Sequence, residues 1–382
     1  MTMHDTAFRR VRRPARGRRT LDRHGRTAPR HVHDVKESRM PIPSAPAVVE
    51  AGLTLPGTFD EASPSGGLEE TLRLFSLAEE LGYQVAGIRQ RHLERGVSSA
   101  LPFLAAATQR TSTIRLETAV VPLGFETPFR LAEDFATVDV LSGGRINVGV
   151  SSSAPHRELV RALSRVGEAD DIAPYTLIER FLEALEGRAL SDEVITTPYG
   201  RQIPRIQPHV PTLRERVWLG GGSARSVRWA AEHGLKLFLG NLAAADGDAS
   251  FETVQRARID EYHALFVGSG EPAVGVERVI VPTDSATAAQ RAHYREYAAA
   301  RDERTLAPVR GVVFQRDLVG TADEIIGRLR EDPAIDGRTQ LRIALPYAFH
   351  RDDYRQILSD VAEGVLPRLG WRPAGSASAV AA

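Results

Sequence analysis

The segment TPFRLAEDFATVDVLSGGRINVGVSSS, residues 127–153, contains one full repeat of the fold. Thr127-Pro128 reads as a helix N-cap with proline at the first helical position. Ser142-Gly143-Gly144 closes that helix, as glycine does just past a helix end. Residues 145–151, RINVGVS, then form a nearly continuous apolar run, the pattern of a strand covered on both faces. The strand runs out into Ser151, Ser152 and Ser153. Helix, stop, buried strand and polar end together make the unit from which parallel sheets are built.

The same alternation recurs on both sides. Apolar runs that read as strands lie at 47–55, 84–89, 114–121, 145–151, 216–220, 235–240, 276–282 and 341–346. Helical patterns separate them. Leu68, Leu72, Phe75, Ala78 and Leu81 recur at helical spacing before Gly82. Thr321-Ala-Asp-Glu324 is a capping box ahead of Ile325, Ile326 and Leu329. Eight strands with intervening helices predict an α/β fold of the (β/α)8 TIM-barrel class, with an open doubly wound sheet as the competing arrangement. The fourth and fifth strands are too far apart for a simple connection. An insertion over 152–215 is expected there, with one helix near 172–186 and the Pro-punctuated run TTPYGRQIPRIQPHVP, and it is expected to act as a lid or substrate wall.

The expected organisation is therefore a single barrel over 46–370 between two loose ends. Residues 1–45 form an Arg-rich leader nearly free of large apolar residues, which cannot offset its ordering entropy and is expected to be disordered. Met40 is the expected working initiator, with Met1 the alternative. Residues 371–382 are expected to be a flexible tail. The full chain of 382 residues is 42% hydrophobic, with Lys+Arg and Asp+Glu both at 49. A formal net charge of zero argues against a general nucleic-acid or membrane-surface binder. There is no cysteine, so disulfides, thiolate metal sites and a cysteine nucleophile are excluded, which fits a cytoplasmic location. No apolar run approaches the roughly 20 residues that span a bilayer. No histidines fall at zinc spacing, and no metal is expected.

In a (β/α)8 barrel the chemistry lies where strands end. That places Gln90, Arg91 and His92, Ser151 and Ser152, the loop Gly220-Gly221-Gly222-Ser223, Asn241 and Tyr347 at one mouth. The glycine loop opens a helix at Ser223, and such N–H groups beside glycine suit a phosphate. It is not a Walker A loop, and an ordinary tight turn with an N-cap reads equally well. His92 reads equally as a satisfied strand-end histidine, and Arg91 as a loop salt bridge to Glu94.

Several stretches resemble the luciferase-like flavin-dependent monooxygenase family. They are Ile114-Arg-Leu-Glu-Thr-Ala-Val-Val-Pro-Leu123, the Arg130–Val150 run with its Leu-Ser-Gly-Gly-Arg, Trp218–Ser223 with the helix end Ala230-Ala-Glu-His-Gly234, Leu318–Glu324 and Val365–Leu369. The resemblance implies a barrel with an insertion after the fourth strand. It further implies that reduced FMN, supplied by a separate flavin reductase, or a deazaflavin coenzyme, binds at the mouth. Gly221, Gly222, Ser223 and Ala224 would meet the phosphate, a non-proline cis peptide at Ala119–Val120 would back the ring, and Ser151 and Ser152 would lie beside it. A small organic substrate, O2 and a homodimer are further implications.

Three departures stand out. Gln90-Arg91-His92 replaces the Glu-His-His common after the second strand, so Arg91 occupies the catalytic-histidine position. Ser151-Ser152-Ser153 replaces a Gly-x-Gly with arginine, and Glu117 replaces a glycine. Arginine takes no proton at neutral pH, so Arg91 is expected to stabilise an anion and His92 to handle protons, with Gln90 beside them. The leading expectation is a two-component monooxygenase. A deazaflavin-dependent hydride-transfer enzyme and a catalytically degenerate flavin-binding protein are the alternatives.

Overall fold

The protein is described here from a computed structural model, which covers residues 48–153 and 173–375. The expected leader, the tail beyond 375 and the first part of the expected insertion lie outside the described residues. In chain order the strands are β1 (Ala51–Leu55), β2 (Val85–Ile88), β3 (Arg115–Thr118), β4 (Val121–Pro122), β5 (Ile146–Ser151), β6 (Ile195–Thr197) and β7 (Gly200–Gln202). They continue as β8 (Val217–Gly220), β9 (Lys236–Leu239), β10 (Leu242–Ala244), β11 (Val274–Pro282), β12 (Val312–Phe314), β13 (Leu318–Gly320) and β14 (Gln340–Ala344). Eight of them, in the order β1-β2-β3-β5-β8-β9-β11-β14, are parallel to their neighbours and close on themselves through the β14–β1 and β9–β11 pairs. This is the (β/α)8 barrel, not the open sheet. All eight strands fall where the apolar runs predict them.

Local sequence accounts for most element boundaries. The helix Pro128–Ser142 starts at its proline and ends at Gly143, which has the left-handed φ of 72° that glycine supplies without strain. Thr127 precedes it as expected, although its hydroxyl makes no capping bond. Arg145, just past the glycines, donates to the carbonyls of Ser142 (2.7 Å) and Ile114 (2.9 Å) and to Thr111 Oγ1 (3.0 Å). One side chain thus ties the end of this helix to the loop entering β3. Thr321 caps Ala322–Glu331 in the predicted box.

The predicted third strand breaks at the Ala119–Val120 cis peptide, where the family resemblance placed one, and the short β4 then resumes the pairing with β5. Two features were not anticipated. The Pro-punctuated segment contains the antiparallel pair β6–β7, turned at Gly200. Trp371, expected in the tail, is 2% exposed and donates its indole N–H to Gln84 Oε1 at 2.7 Å, so the packed chain extends past that boundary.

The barrel interior is plugged by charge. Side chains of parallel barrel strands alternate inward and outward. From β14, Arg342 crosses to Glu117 on β3, with Nε–Oε1 at 3.1 Å and a second bond of 3.2 Å to Oε2. Asn147 on β5 donates to the same carboxylate at 3.0 Å, and Glu50 lies 3.3 Å from the guanidinium. Burial disfavours the Arg342 charge, but the carboxylates of Glu117 and Glu50 more than offset it and hold the guanidinium above the usual arginine range. The glutamate that departs from the family pattern therefore has its partner in the same lumen. Removing one member of a buried pair strands the other, at roughly 3–5 kcal/mol. Glu117→Ala is expected to lower unfolding free energy by about that amount in urea titrations, and the paired change Glu117→Leu with Arg342→Met to restore most of it.

Candidate active site

The floor of the mouth is built by glycines beneath a valine. Ala119 and Val120 are joined by a cis peptide, and Ala119, Trp218 and Phe238 form a small apolar cluster against which Val120 and Ala273 pack. A Cβ on Gly149 or on Gly220 would come within 3.1 Å of the Val120 methyl carbons. At Gly149 it would also lie 1.7 Å from the Thr118 carbonyl oxygen, so β5 admits no side chain there. Thr118 Oγ1 accepts from Gly149 N–H and donates to its carbonyl, at 2.9 and 2.7 Å, locking β3 to β5 at this level.

Beside this floor lies the glycine loop. Gly221 N–H donates to Phe238 O at 3.1 Å, and Ser223 N–H to Ser226 Oγ at 3.2 Å. Ser223 Oγ accepts from Ser226 N–H, closing a capping box at the start of the helix Ala224–Glu232. Two of the loop's N–H groups and its hydroxyl are thus engaged within the turn. Gly222 and Ala224, the latter in the first turn where N–H groups lack helical partners, carry the donors left for an anion. A Cβ on Gly222 would sit 3.0 Å from Leu242 O and 3.2 Å from the Ala243 Cα, so only glycine lets β10 pack this closely. At the end of β5, Ser151 is buried and its hydroxyl lies 2.9 Å from that of Ser153, with Ser152 between them.

The run after β2 divides by direction. Arg89 and Arg91 flank Tyr347, their guanidinium carbons 5.7 and 5.4 Å from its ring centre. Arg91 donates to the Tyr347 hydroxyl at 2.6 Å, while Glu94 is 3.9 Å away. The Tyr347 contact, not the expected Glu94 bridge, is the closer one. Arg89 pairs with Glu277 of β11 at 2.7 Å; burial opposes its charge, and Glu277 with Tyr347 holds it above the usual range. Gln90 points the other way. Its carbonyl accepts from Ala100 N–H (3.1 Å), and its amide nitrogen lies 2.9 Å from Glu126 Oε1 and 3.0 Å from His92 Nε2. With the Gln90 oxygen already committed, its NH2 is the donor in both bonds, so His92 Nε2 accepts and the neutral ring carries its proton on Nδ1. The His92 ring packs on Phe125 with centroids 4.4 Å apart.

Sequence reasoning treated 90–92 as one cluster, which the structure divides between two sides of the β2 end. Alternation along the chain was the signal that separates Arg89 and Arg91 from Gln90. Glu126 was missed, and so were Arg301 and Arg304, which enter the mouth from the segment after β11 together with Tyr297.

A family model for luciferase-like monooxygenases matches residues 49–334, well over half of the chain. The chain belongs to the luciferase-like monooxygenase family. A luciferase-like monooxygenase of Escherichia coli is 29% identical over 193 residues, covering 48% of this chain and 53% of the relative. The chain spans about half the length of the curated relatives it matches. Among solved structures, the oxygenating constituent of 3,6-diketocamphane monooxygenase from Pseudomonas putida, in complex with FMN, superimposes with TM-score 0.63 at 16% identity, covering 84% of this chain and 99% of that one. Coenzyme F420-dependent tetrahydromethanopterin reductase from Methanopyrus kandleri gives 0.57 at 16% identity, covering 85% and 100%. At these identities the two structures establish the shared barrel.

Because the family's barrel is present with Gln90 in this orientation, the tautomer of His92 has a direct check. Proton–nitrogen correlation spectra are expected to show His92 protonated on Nδ1 in the wild type. In Gln90→Leu that preference is expected to disappear while the global fold remains.

Proposed function

We propose that this luciferase-like protein is a two-component monooxygenase, using reduced FMN from a separate reductase and O2 to oxygenate a small organic substrate. The observation that carries the proposal is the pairing of two features at the ends of β3 and β8, the two strands that flank β5. An apolar floor at Ala119–Val120 lies on one side, and a glycine loop opening a helix lies on the other. A flat apolar ring with an attached phosphate matches that combination chemically: the ring lies on the floor, and the phosphate meets Gly222 and Ala224 N–H at the positive end of the helix. Ser223, whose hydroxyl caps the helix, and Gly221, held to Phe238, keep the loop in shape. Ser151 and Ser152 border the floor from β5. When bound, the reduced flavin supplies the electrons that activate O2.

The chain's own groups do the rest. Arg91, fixed against Tyr347, stabilises negative charge that develops over the mouth. His92, with Nε2 held by Gln90, offers its Nδ1 N–H as a hydrogen-bond donor from a fixed ring position. Residues 173–215 after β5, with their helix Pro174–Leu185, are proposed to wall the site from water. The protein is further proposed to act as a homodimer in the cytoplasm; among the described residues no helix is long and apolar enough to cross a membrane.

A second reading, hydride transfer with a deazaflavin coenzyme, is supported by the resemblance of the barrel to the F420-dependent reductase. Anaerobic titration with reduced FMN and with the reduced deazaflavin separates the two. Reduced FMN is expected to bind more tightly. Gly222→Ala, which must push β10 away, is expected to weaken FMN by about tenfold and riboflavin far less, the difference reporting the phosphate contact. Tighter binding of the deazaflavin would reverse the assignment. The role of His92 is checked in His92→Ala, where turnover is expected to fall roughly 100-fold while reduced FMN still binds.

A further inference from the structure

The strand order divides the mouth in two. The floor and the glycine loop lie on the contiguous strands β3, β5 and β8, with Phe238 of β9 at their edge, whereas β10 and the ends of β11, β14 and β2 border a second cavity of about 200 Å3. Among the described residues, four guanidiniums line that cavity, those of Arg89, Arg91, Arg301 and Arg304, and no carboxylate does. Carboxylates behind its wall neutralise only part of this charge. Glu277 pairs with Arg89 at 2.7 Å. Asp317 accepts from Arg301 Nε at 2.5 Å and stands 3.9 Å from Arg304. Glu94 is likewise 3.9 Å from Arg91 and partly exposed. Arg91 and Arg304 thus have only longer ion pairs of 3.9 Å, and Arg304 shares its carboxylate with Arg301.

Both cations are held by aromatic faces. Arg304 lies 4.7 Å from the Phe314 ring centre, and Arg91 lies 5.4 Å from that of Tyr347. Stacking of this kind leaves the N–H groups of Arg304 available to an oxyanion, while Arg91 spends one donor on the Tyr347 hydroxyl and keeps the others. Among the described residues, the buried Nε atoms of Arg304 and Arg89 have no hydrogen-bond partner. Burial, and then the neighbouring Arg301, pull the Arg304 guanidinium below the usual arginine range, a cost that a bound anion would remove. Leu242, Val279 and Leu345 supply apolar surface in the same cavity.

We infer that the substrate is an organic anion whose carboxylate or equivalent oxyanion is held by Arg91 and Arg304 in this cavity, its apolar body reaching toward the floor. The inference rests on the proposal that the β3–β5–β8 side takes the flavin. Calorimetry on the full chain tests it with octanoate, octanol as the neutral control, FMN and riboflavin. Octanoate is expected to bind the wild type more tightly than octanol. Arg304→Gln is expected to weaken octanoate on the order of 10- to 100-fold and to leave octanol and FMN unchanged, and Arg91→Gln to weaken octanoate by a similar factor and octanol far less. Equal binding of octanoate and octanol, or no loss in either variant, would overturn the inference. So would a loss of FMN but not riboflavin in the variants, because the arginines would then hold the cofactor's phosphate. Failure of FMN to bind the wild type at all, with octanoate selectivity intact, would instead sink the flavin assignment and leave the anion site standing.

Discussion

The Glu117–Arg342 pair is the constraint on which the upper half of the barrel depends. A barrel of eight strands has an interior that side chains must fill, and here the middle is closed by two opposite charges reaching from β3 to β14, with Asn147 on the same carboxylate. Below them, Glu50 accepts a bond from Arg115 and lies near Arg342. Above them the lumen is narrow and apolar, with Ala119, Val120 and Phe238 forming a surface on which a ligand can rest. An apolar plug would fill the same volume, but it would not fix the relative height of two strands on opposite walls. The paired hydrogen bonds do, and the mouth inherits that registration.

Most of the fold was legible because its cause is local. Buried parallel strands read as short apolar runs, glycines mark where helices stop, and Thr321 with Glu324 announces a helix start. The site was legible in outline for the same reason: strand ends can be found, and in a barrel strand ends are where ligands meet the protein. What could not be read was direction and long-range partnership. Alternation sets Gln90 apart from its neighbours, but nothing local names Glu126 as its partner or Tyr347 as theirs. Arg304 looks like one charge in a polar loop. It reaches the mouth because β12 pairs with β10, setting Phe314 opposite Leu242 across some seventy positions of sequence. Pairings between such short, distant strands leave no periodic trace.

The two sides of the mouth differ in how they attract a ligand. On the β3–β5–β8 side the attraction is apolar surface together with backbone N–H groups, and it makes little demand on side-chain identity. The arginine side works through charge in a partly desolvated cavity, where each guanidinium counts for more than it would in water. The departures from the family pattern follow this division. Glu117 is absorbed by Arg342 in the lumen, whereas Arg91 faces the cavity, where a change of residue alters what can be bound.

The closeness of Gly149 to Thr118 has an evolutionary meaning. A backbone that would place a Cβ 1.7 Å from a carbonyl oxygen leaves position 149 with one permitted amino acid. Two residues further on, Ser151 is still buried against Ser153, and the chain reaches the open rim at Ser152 and Ser153. Divergence along this strand is therefore channelled: the lineage can rewrite the rim while the support behind it is frozen by geometry.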